Sequence, residues 1–231
     1  GTVQLTGGLV HTYDIEIKSG KLNLNYAQDL SATNVLIGAN GTLIAGKAVT
    51  LNKVSGTGAI QTGANLTFAT IAPGAGSDVG EMTADTLNFG DGSAYEWRLA
   101  NADGATPGTD WDHLVATNLT FAGELVINVD GAGMTGTLAT TDEFVIATAT
   151  NTFAVPATYT VNLPAGWSGT GVLTAVEDTD NNVWNLVLSG LASSLLGDTN
   201  GDGVVDATGY IALKTHIGTG SGATAADGDT D

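Results

Sequence analysis

Residues 34–51 read NVLIGANGTLIAGKAVTL, in which three short apolar stretches (34–37, 42–44 and 49–51) are separated by small and polar residues. Stretches of period 2 that end at glycine, asparagine or aspartate predict β-strands. The same pattern places strands at 3–5, 13–17, 21–24 and 65–68. Their spacing of roughly ten residues is typical of a β-sandwich or of the coils of a solenoid.

Two features of this region favour the solenoid. No short Asn-Gly or Asp-Gly turn joins neighbouring strands consistently, as hairpins would require. Related phrases that begin with Gly and end with Leu (GTL, GANL and GEL) recur along the chain, as expected for a backbone that climbs one coil at a time. We therefore predict an all-β fold, a right-handed parallel β-helix (solenoid), with a β-sandwich as the alternative.

The composition of the 231 residues limits the classes of ligand and binding site to expect. Six Lys and Arg against 24 Asp and Glu give a net charge of −18, which makes nucleic acid and anionic membrane poor partners on charge grounds and divalent cations good ones. Cysteine is absent, which excludes disulfides, thiolate nucleophiles and zinc–sulfur sites. No run of about 18 apolar residues occurs, so we predict no membrane insertion.

A more regular block covers about residues 70–150. It contains IAPGAGSDVG at 71–80, TLNF at 86–89, AYEWRL at 94–99, DHLV at 112–115, NLTF at 118–121 and GELVINV at 123–129. This pattern resembles the passenger β-helix repeats of autotransporters and of related exported proteins with sorting tails. The resemblance implies a β-helix and an extracellular or bacterial cell-surface location, and it implies no particular activity.

The sequence pattern differs after this block. Residues 171–176 and 183–188 are alternating stretches joined by EDTDNN, which predicts an antiparallel β-hairpin. We expect the hairpin region, about 157–190, to cap the open end of the solenoid, because an uncapped coil exposes unpaired backbone groups. The predicted organisation is therefore a stalk over 1–190, a linker over 191–197 and a separate segment over 198–231.

Residues 198–206 read DTNGDGVVD and fit the calcium-loop pattern D-x-[DN]-x-[DN]-G. Calcium binds six to eight oxygen atoms, and Gly203 supplies the sharp turn that such a loop needs. Residues 210–217, YIALKTHI, predict a short amphipathic helix that ends at Gly218. The predicted ligands are Asp198, Asn200, Asp202, the backbone carbonyl of Val204, and Asp206.

Together these residues resemble the first half of a type I dockerin, the module that docks secreted proteins onto cohesins. The resemblance implies a cohesin-like partner, recognised through Ala207 and Thr208. Position 12 of the loop, which carries an acidic ligand in the family, is Gly209, so we expect weak calcium binding, with a Kd of about 10⁻⁴–10⁻³ M. Only DGDTD at 227–231 stands where the resemblance places a second repeat, so the segment resembles an incomplete dockerin. The alternative is an acidic tail without metal.

Several other side chains could in principle take part in catalysis or ligand binding. The segment DWDH at 110–113 combines two carboxylates and an imidazole, but we predict a loop followed by the start of a strand. Arg98, the only arginine, is predicted to lie on an exposed strand face. Four tryptophans suit core packing better than a sugar-stacking platform, and the three histidines are isolated and predicted to lie at the surface or in turns. These residues are Trp97, Trp111, Trp167, Trp184, His11, His113 and His216.

The sequence therefore predicts a non-catalytic extracellular structural protein, a solenoid stalk or filament building block with a calcium-binding attachment segment. Because the chain opens in a strand-like stretch, we also expect head-to-tail self-association through exposed strand edges. One alternative is a β-helical lyase or hydrolase of acidic polysaccharide, which would need a groove that combines several Asp with Arg98 or a Lys. The other is a carbohydrate-binding adhesin with exposed Trp side chains.

Overall fold

The computed structural model describes residues 1–5 and 13–193, and this part of the chain is all-β, as predicted. Its regular structure consists of fourteen strands and one short 3-10 turn at Gly63–Asn65. The strands are β1 (Thr2–Leu5), β2 (Ile15–Leu24), β3 (Gln28–Ile44), β4 (Val49–Gly56), β5 (Ala59–Gln61), β6 (Leu66–Pro73), β7 (Glu81–Phe89), β8 (Ser93–Arg98), β9 (His113–Phe121), β10 (Glu124–Asp130), β11 (Glu143–Phe153), β12 (Thr158–Asn162), β13 (Trp167–Asp178) and β14 (Val183–Ser193).

Alternation of inward and outward side chains explains why these segments form strands. In β8 the side chains of Tyr95 and Trp97 are buried, whereas Glu96 and Arg98 between and after them face outward. Successive side chains of a strand point to opposite faces, so each such strand presents an apolar face to the core and a polar face to solvent. The strand β10 shows the same alternation.

The hydrogen-bonded strands have a regular order. Neighbours follow β12-β10-β8-β6-β4-β3-β5-β7-β9-β11-β14-β13, and β2 lies beside β3 with β1 beyond it. Strands β4, β6, β8, β10 and β12, which we call the even arm, lie on one side of β3. Strands β5, β7, β9 and β11, the odd arm, lie on the other. Strands that follow each other in sequence from β4 to β12 therefore lie on opposite arms.

Most of the sheet is parallel. Eleven of the thirteen pairings among the described strands are parallel, unlike the antiparallel sheets of the sandwich alternative. On the even arm Val54 pairs with Ile71, Ile71 with Tyr95 and Tyr95 with Ile127, which are steps of 17, 24 and 32 positions. Paired residues on the odd arm are also separated by 17, 24 and 32 positions. Both arms therefore advance together along the chain.

Tight corners between strands explain part of the glycine content. Gly56, at the end of β4, has a φ of +109°, a backbone conformation that other residues rarely adopt. A Cβ atom on Gly56 would also lie 2.1 Å from the carbonyl oxygen of Ile37, in the neighbouring strand β3. Only glycine fits this corner.

The core changes along the chain from aliphatic to aromatic. Aliphatic side chains fill the space inside β2 to β5, whereas the ring of Phe89 packs against Phe68 at 5.3 Å and Phe121 at 5.2 Å between centroids. Further along, Trp97 packs against Phe144 at 5.5 Å. The larger side chains coincide with the longer steps of 24 and 32 positions, where more residues surround the core.

The predicted antiparallel hairpin is present. Strands β13 and β14 pair antiparallel through ten residue pairs, and β14 also pairs antiparallel with β11. Asn182 adopts a left-handed conformation, with φ of 54°, in the turn that joins them. Strand β14 continues through Ser193, into the interval predicted as a linker.

Candidate functional site

The predicted calcium loop cannot be placed on this fold, because residues 194–231 lie outside the described part of the chain. This applies to the ligands Asp198, Asn200, Asp202, Val204 and Asp206 and to the predicted recognition residues Ala207 and Thr208. Within residues 1–5 and 13–193, no group of three or more His, Asp or Glu side chains has the geometry to hold a metal ion.

A polar groove on the outer face of the even arm brings charged side chains together. Its cavity volume is about 330 Å³, at the lower end of the range for ligand sites. Lys53 and Ser55 of β4, Glu96 of β8, and Asp130 of β10 line it. These four residues come from three strands of the even arm and lie up to 77 positions apart in sequence (53 to 130).

Both cations of this groove form ion pairs. The Lys53 ammonium donates a hydrogen bond to the Glu96 carboxylate, so its side chain crosses over β6, which lies between β4 and β8. The Arg98 guanidinium donates to Asp130 Oδ2 at 2.5 Å and to the carbonyl oxygen of Ala132 at 2.6 Å. The positive charges are therefore matched by carboxylates within the groove.

The side chain of Arg98 faces outward, as predicted, but it is only 16% exposed because Asp130 and the backbone near Ala132 cover it. Asp130 is 50% exposed, so the pair keeps one solvent-facing edge. A ligand in the groove would meet the carboxylate more readily than the guanidinium.

Asp112 also lines the groove, and its hydrogen bonds join the starts of β7 and β9 to the end of β8. Its carboxylate accepts backbone N–H bonds from Gly80 at 2.8 Å and from Arg98 at 3.0 Å. Its carbonyl oxygen accepts the Trp97 Nε1–H bond at 2.9 Å. Burial raises the pKa of Asp112 to about 8, against the opposing effect of the two N–H donors, which favour the ionised form.

The segment 110–113 forms a loop followed by the start of β9, as predicted. Its titratable side chains do not share a site. The Asp110 carboxylate accepts hydrogen bonds from the backbone of Ala105 and Thr106 and from the side chain of Asn101, and the bond from Thr106 contributes most to holding its pKa below the ordinary value. Asp112 faces a different set of donors, so the pair does not form an acid–base cluster.

The sequence prediction is wrong for His113, which is buried and does not lie at the surface or in a turn. Its Nδ1 lies 3.0 Å from Glu81 Oε2, and its Nε2 lies 3.0 Å from Thr148 Oγ1. Thr148 in turn donates to Asn185 Oδ1 at 2.9 Å. This polar row crosses β7, β9, β11 and β14, and the partners of both ring nitrogens explain why burial is tolerated. His11 and His216 lie outside the described residues.

The tryptophans pack as predicted where they are fully buried. Trp97 and Trp111 are 0% and 4% exposed, and Trp111 donates its Nε1–H to the carbonyl oxygen of Val145. Trp184 is half-buried and stacks on Phe153 with centroids 5.8 Å apart. A sugar-stacking platform built from all four rings is therefore excluded.

Sequence reasoning missed the groove because its residues are distant in sequence. Lys53 and Glu96 are 43 positions apart and meet only because β4, β6 and β8 are neighbours. One sequence feature does point to the groove: Glu96 and Arg98 occupy alternate positions of one strand, so both face outward. No motif links Lys53 to that strand.

Comparison with known proteins gives no family for this chain. No protein-family model matches the sequence, and no curated protein matches it significantly. Among the described residues there is also no helix with the length and apolar character needed to cross a membrane.

Proposed function

We propose that the chain is a non-catalytic, extracellular structural protein of the bacterial cell surface, whose strands form a right-handed parallel β-helix. The observation that carries this proposal is the equal advance of the two arms, by 17, 24 and 32 positions on each. A chain that alternates between two arms and returns in parallel register after each circuit traces a coil. Such a stack is a rigid spacer.

The hairpin of β13 and β14 is the cap of this stack. A coil at the end of a solenoid exposes backbone N–H and C=O groups that can pair with another chain. Strand β14 pairs with β11 of the last odd-arm coil, and β13 covers the far edge of β14. The switch from parallel to antiparallel pairing at this end supports the capping role.

The segment 198–231 serves as the attachment element. Its loop pattern and its likeness to half a dockerin support weak calcium binding and a cohesin-like partner. The net charge of −18 makes a divalent cation a favourable ligand. No nucleic acid or membrane contact is part of this proposal.

Self-association is the natural extension of a stacked fold. At the end opposite the hairpin, β1 pairs with β2, and the proposed contact is the addition of a strand from a second copy to the other edge of β1. Repetition of such a head-to-tail contact gives an open filament. The charge of −18 opposes side-by-side clumping, but charges more than about 8–10 Å apart are screened at physiological salt, which leaves end-to-end packing possible.

Electron microscopy of the purified protein tests the structural role. The seven stacked positions on the side of the even arm, from β2 to β12, predict a stack about 29 Å tall, at about 4.8 Å for each spacing. We expect short rods that join end to end at high concentration. Globular particles that never associate in line would contradict the proposal.

A second candidate function is a lyase or hydrolase that acts on acidic polysaccharide. The observation that favours it is the groove, which brings Lys53 and Arg98 beside several carboxylates. It ranks second because both cations are already paired with Glu96 and Asp130. Incubation with polygalacturonate and alginate separates the two: chain cleavage would establish the enzyme, and unchanged polymer length would leave the structural role.

A further inference from the structure

The polar groove extends beyond the cavity already described. A second cavity of about 460 Å³ is lined by Glu16 of β2 and Leu36 of β3, and it shares Lys53 and Ser55 with the first. Glu16 pairs with Leu36, and Leu36 pairs with Ser55, so the second cavity continues the same outward row. The two cavities together run from β2 to β10.

This length suits an oligomer rather than one small ring. Strands β2, β3, β4, β6, β8 and β10 are six successive neighbours, and their five spacings span about 24 Å at about 4.8 Å each. The bonded pair of Lys53 and Glu96 crosses this path above β6. An extended ligand would contact that pair and then reach Asn128 and Asp130 beyond it.

The lining offers donors and acceptors side by side. Lys53, Arg98 and Asn128 carry N–H donors, whereas Glu96 and Asp130 carry carboxylate acceptors that are 43% and 50% exposed. Hydroxyl groups both donate and accept, so neighbouring hydroxyls of one ligand match such an array. The indole of Trp97 is fully buried, so recognition depends on hydrogen bonds rather than stacking on that ring.

The charge of the groove selects against anions. Its two cations are paired with carboxylates, and Asp78 adds a further exposed acidic side chain to the lining. The whole chain carries −18 as well, which repels a polyanion at long range. We propose that this groove binds a neutral glycan through its hydroxyl groups, which goes beyond the spacer role and involves no bond cleavage.

Calorimetric titration with a panel of neutral hexasaccharides (cellohexaose, xylohexaose, mannohexaose and laminarihexaose), each at up to about 10 mM, tests this proposal. Hexagalacturonate serves as the acidic probe. Ser55→Trp fills the point where the two cavities meet, and Glu96→Gln removes an acceptor charge at the crossing pair. The matched controls are Thr83→Trp, on the odd arm, and Glu124→Gln, on β10 outside the groove.

We expect at least one neutral hexasaccharide to bind. Ser55→Trp should then lower the affinity more than tenfold, and Glu96→Gln about tenfold, because a hydrogen bond to a charged group is lost. Both controls should bind as the parent does, and circular dichroism should show unchanged β structure. Three results would overturn the inference: no neutral glycan binds, the groove variants bind as the controls do, or hexagalacturonate binds more tightly than every neutral probe.

Discussion

Asp112 gives the sharpest prediction about stability and pH. The residue is 2% exposed, and its carboxyl group accepts the N–H groups of Gly80 and Arg98, so it joins the start of β7 to the end of β8. Burial raises its pKa from the ordinary 3.8 to about 8. The folded protein therefore holds the proton of Asp112 more tightly than the unfolded chain does.

The sign of the pH effect follows from this difference. The stability contributed by protonated Asp112 is fully present below about pH 4 and is lost as the pH rises through about 8. The two pKa values lie about four pH units apart, and each unit corresponds to about 1.4 kcal/mol, so the loss has a ceiling of about 6 kcal/mol. The free energy of unfolding should fall across this window.

Asp112→Asn removes the titration and keeps the shape. The amide can accept one of the two N–H bonds, and the N–H left without an acceptor costs about 1–3 kcal/mol. We expect the variant to be less stable than the parent at pH 5. The difference in the free energy of unfolding between the two proteins should narrow as the pH rises, and toward pH 9 the variant should become the more stable one.

Urea denaturation at pH 5, 7 and 9, followed by far-ultraviolet circular dichroism, measures this change. Asp142→Asn is the control, since Asp142 accepts the Ala139 N–H bond at an exposed site. Asp112→Ala should lower stability by about 2–6 kcal/mol at pH 5, because both N–H groups lose their acceptor. Parallel pH curves for the parent and Asp112→Asn would refute the reasoning.

Three further predictions concern other parts of the chain. Replacing both Asp198 and Asp202 by Ala should abolish calorimetric calcium binding and leave the β circular dichroism unchanged; unaltered binding would remove this loop as the site. Light scattering should show linear polymers that lengthen with millimolar calcium and shorten with chelator, and a uniform monomer at high concentration would contradict self-association. Gly56→Ala should cost at least about 2 kcal/mol, because its Cβ meets the Ile37 carbonyl at 2.1 Å. Gly76 has a φ of +65°, against +109° at Gly56, and open space around its Cβ position, so Gly76→Ala is a control for positive φ without a clash. A loss at Gly56 no larger than the loss at Gly76 would contradict the clash.

Strand positions could be predicted from the sequence because alternation is a local property. The stretches 94–99 and 123–129 coincide closely with β8 and β10, and the predicted hairpin is present as β13 and β14. The stretches 34–37 and 42–44 are instead parts of one strand of 17 residues, β3. A Cβ on Gly41 would lie 2.4 Å from the carbonyl oxygen of Ile17, so here the small residue permits close packing rather than ending the strand.

The candidate site could not be predicted, because it depends on register between distant strands. Nothing local indicates that Lys53 reaches Glu96 across β6, or that Glu81 and Thr148 satisfy a buried His113. Asp112 is polar and stands one residue before β9, so its burial follows only from the backbone donors that other strands bring to it. Long-range pairing decides all three cases.

Distances between spin labels test the stacked coil most directly, and the lack of native cysteine makes the labelling specific. Glu16→Cys is combined in turn with Glu96→Cys, Asn128→Cys and Asn162→Cys, four outward positions on β2, β8, β10 and β12. Backbone separations of about 19, 24 and 29 Å are expected, one strand spacing apart. Pulsed electron resonance should show this steady increase. Distances that stop growing or shorten from β10 to β12, as in a sheet that closes on itself, would contradict the stacked coil.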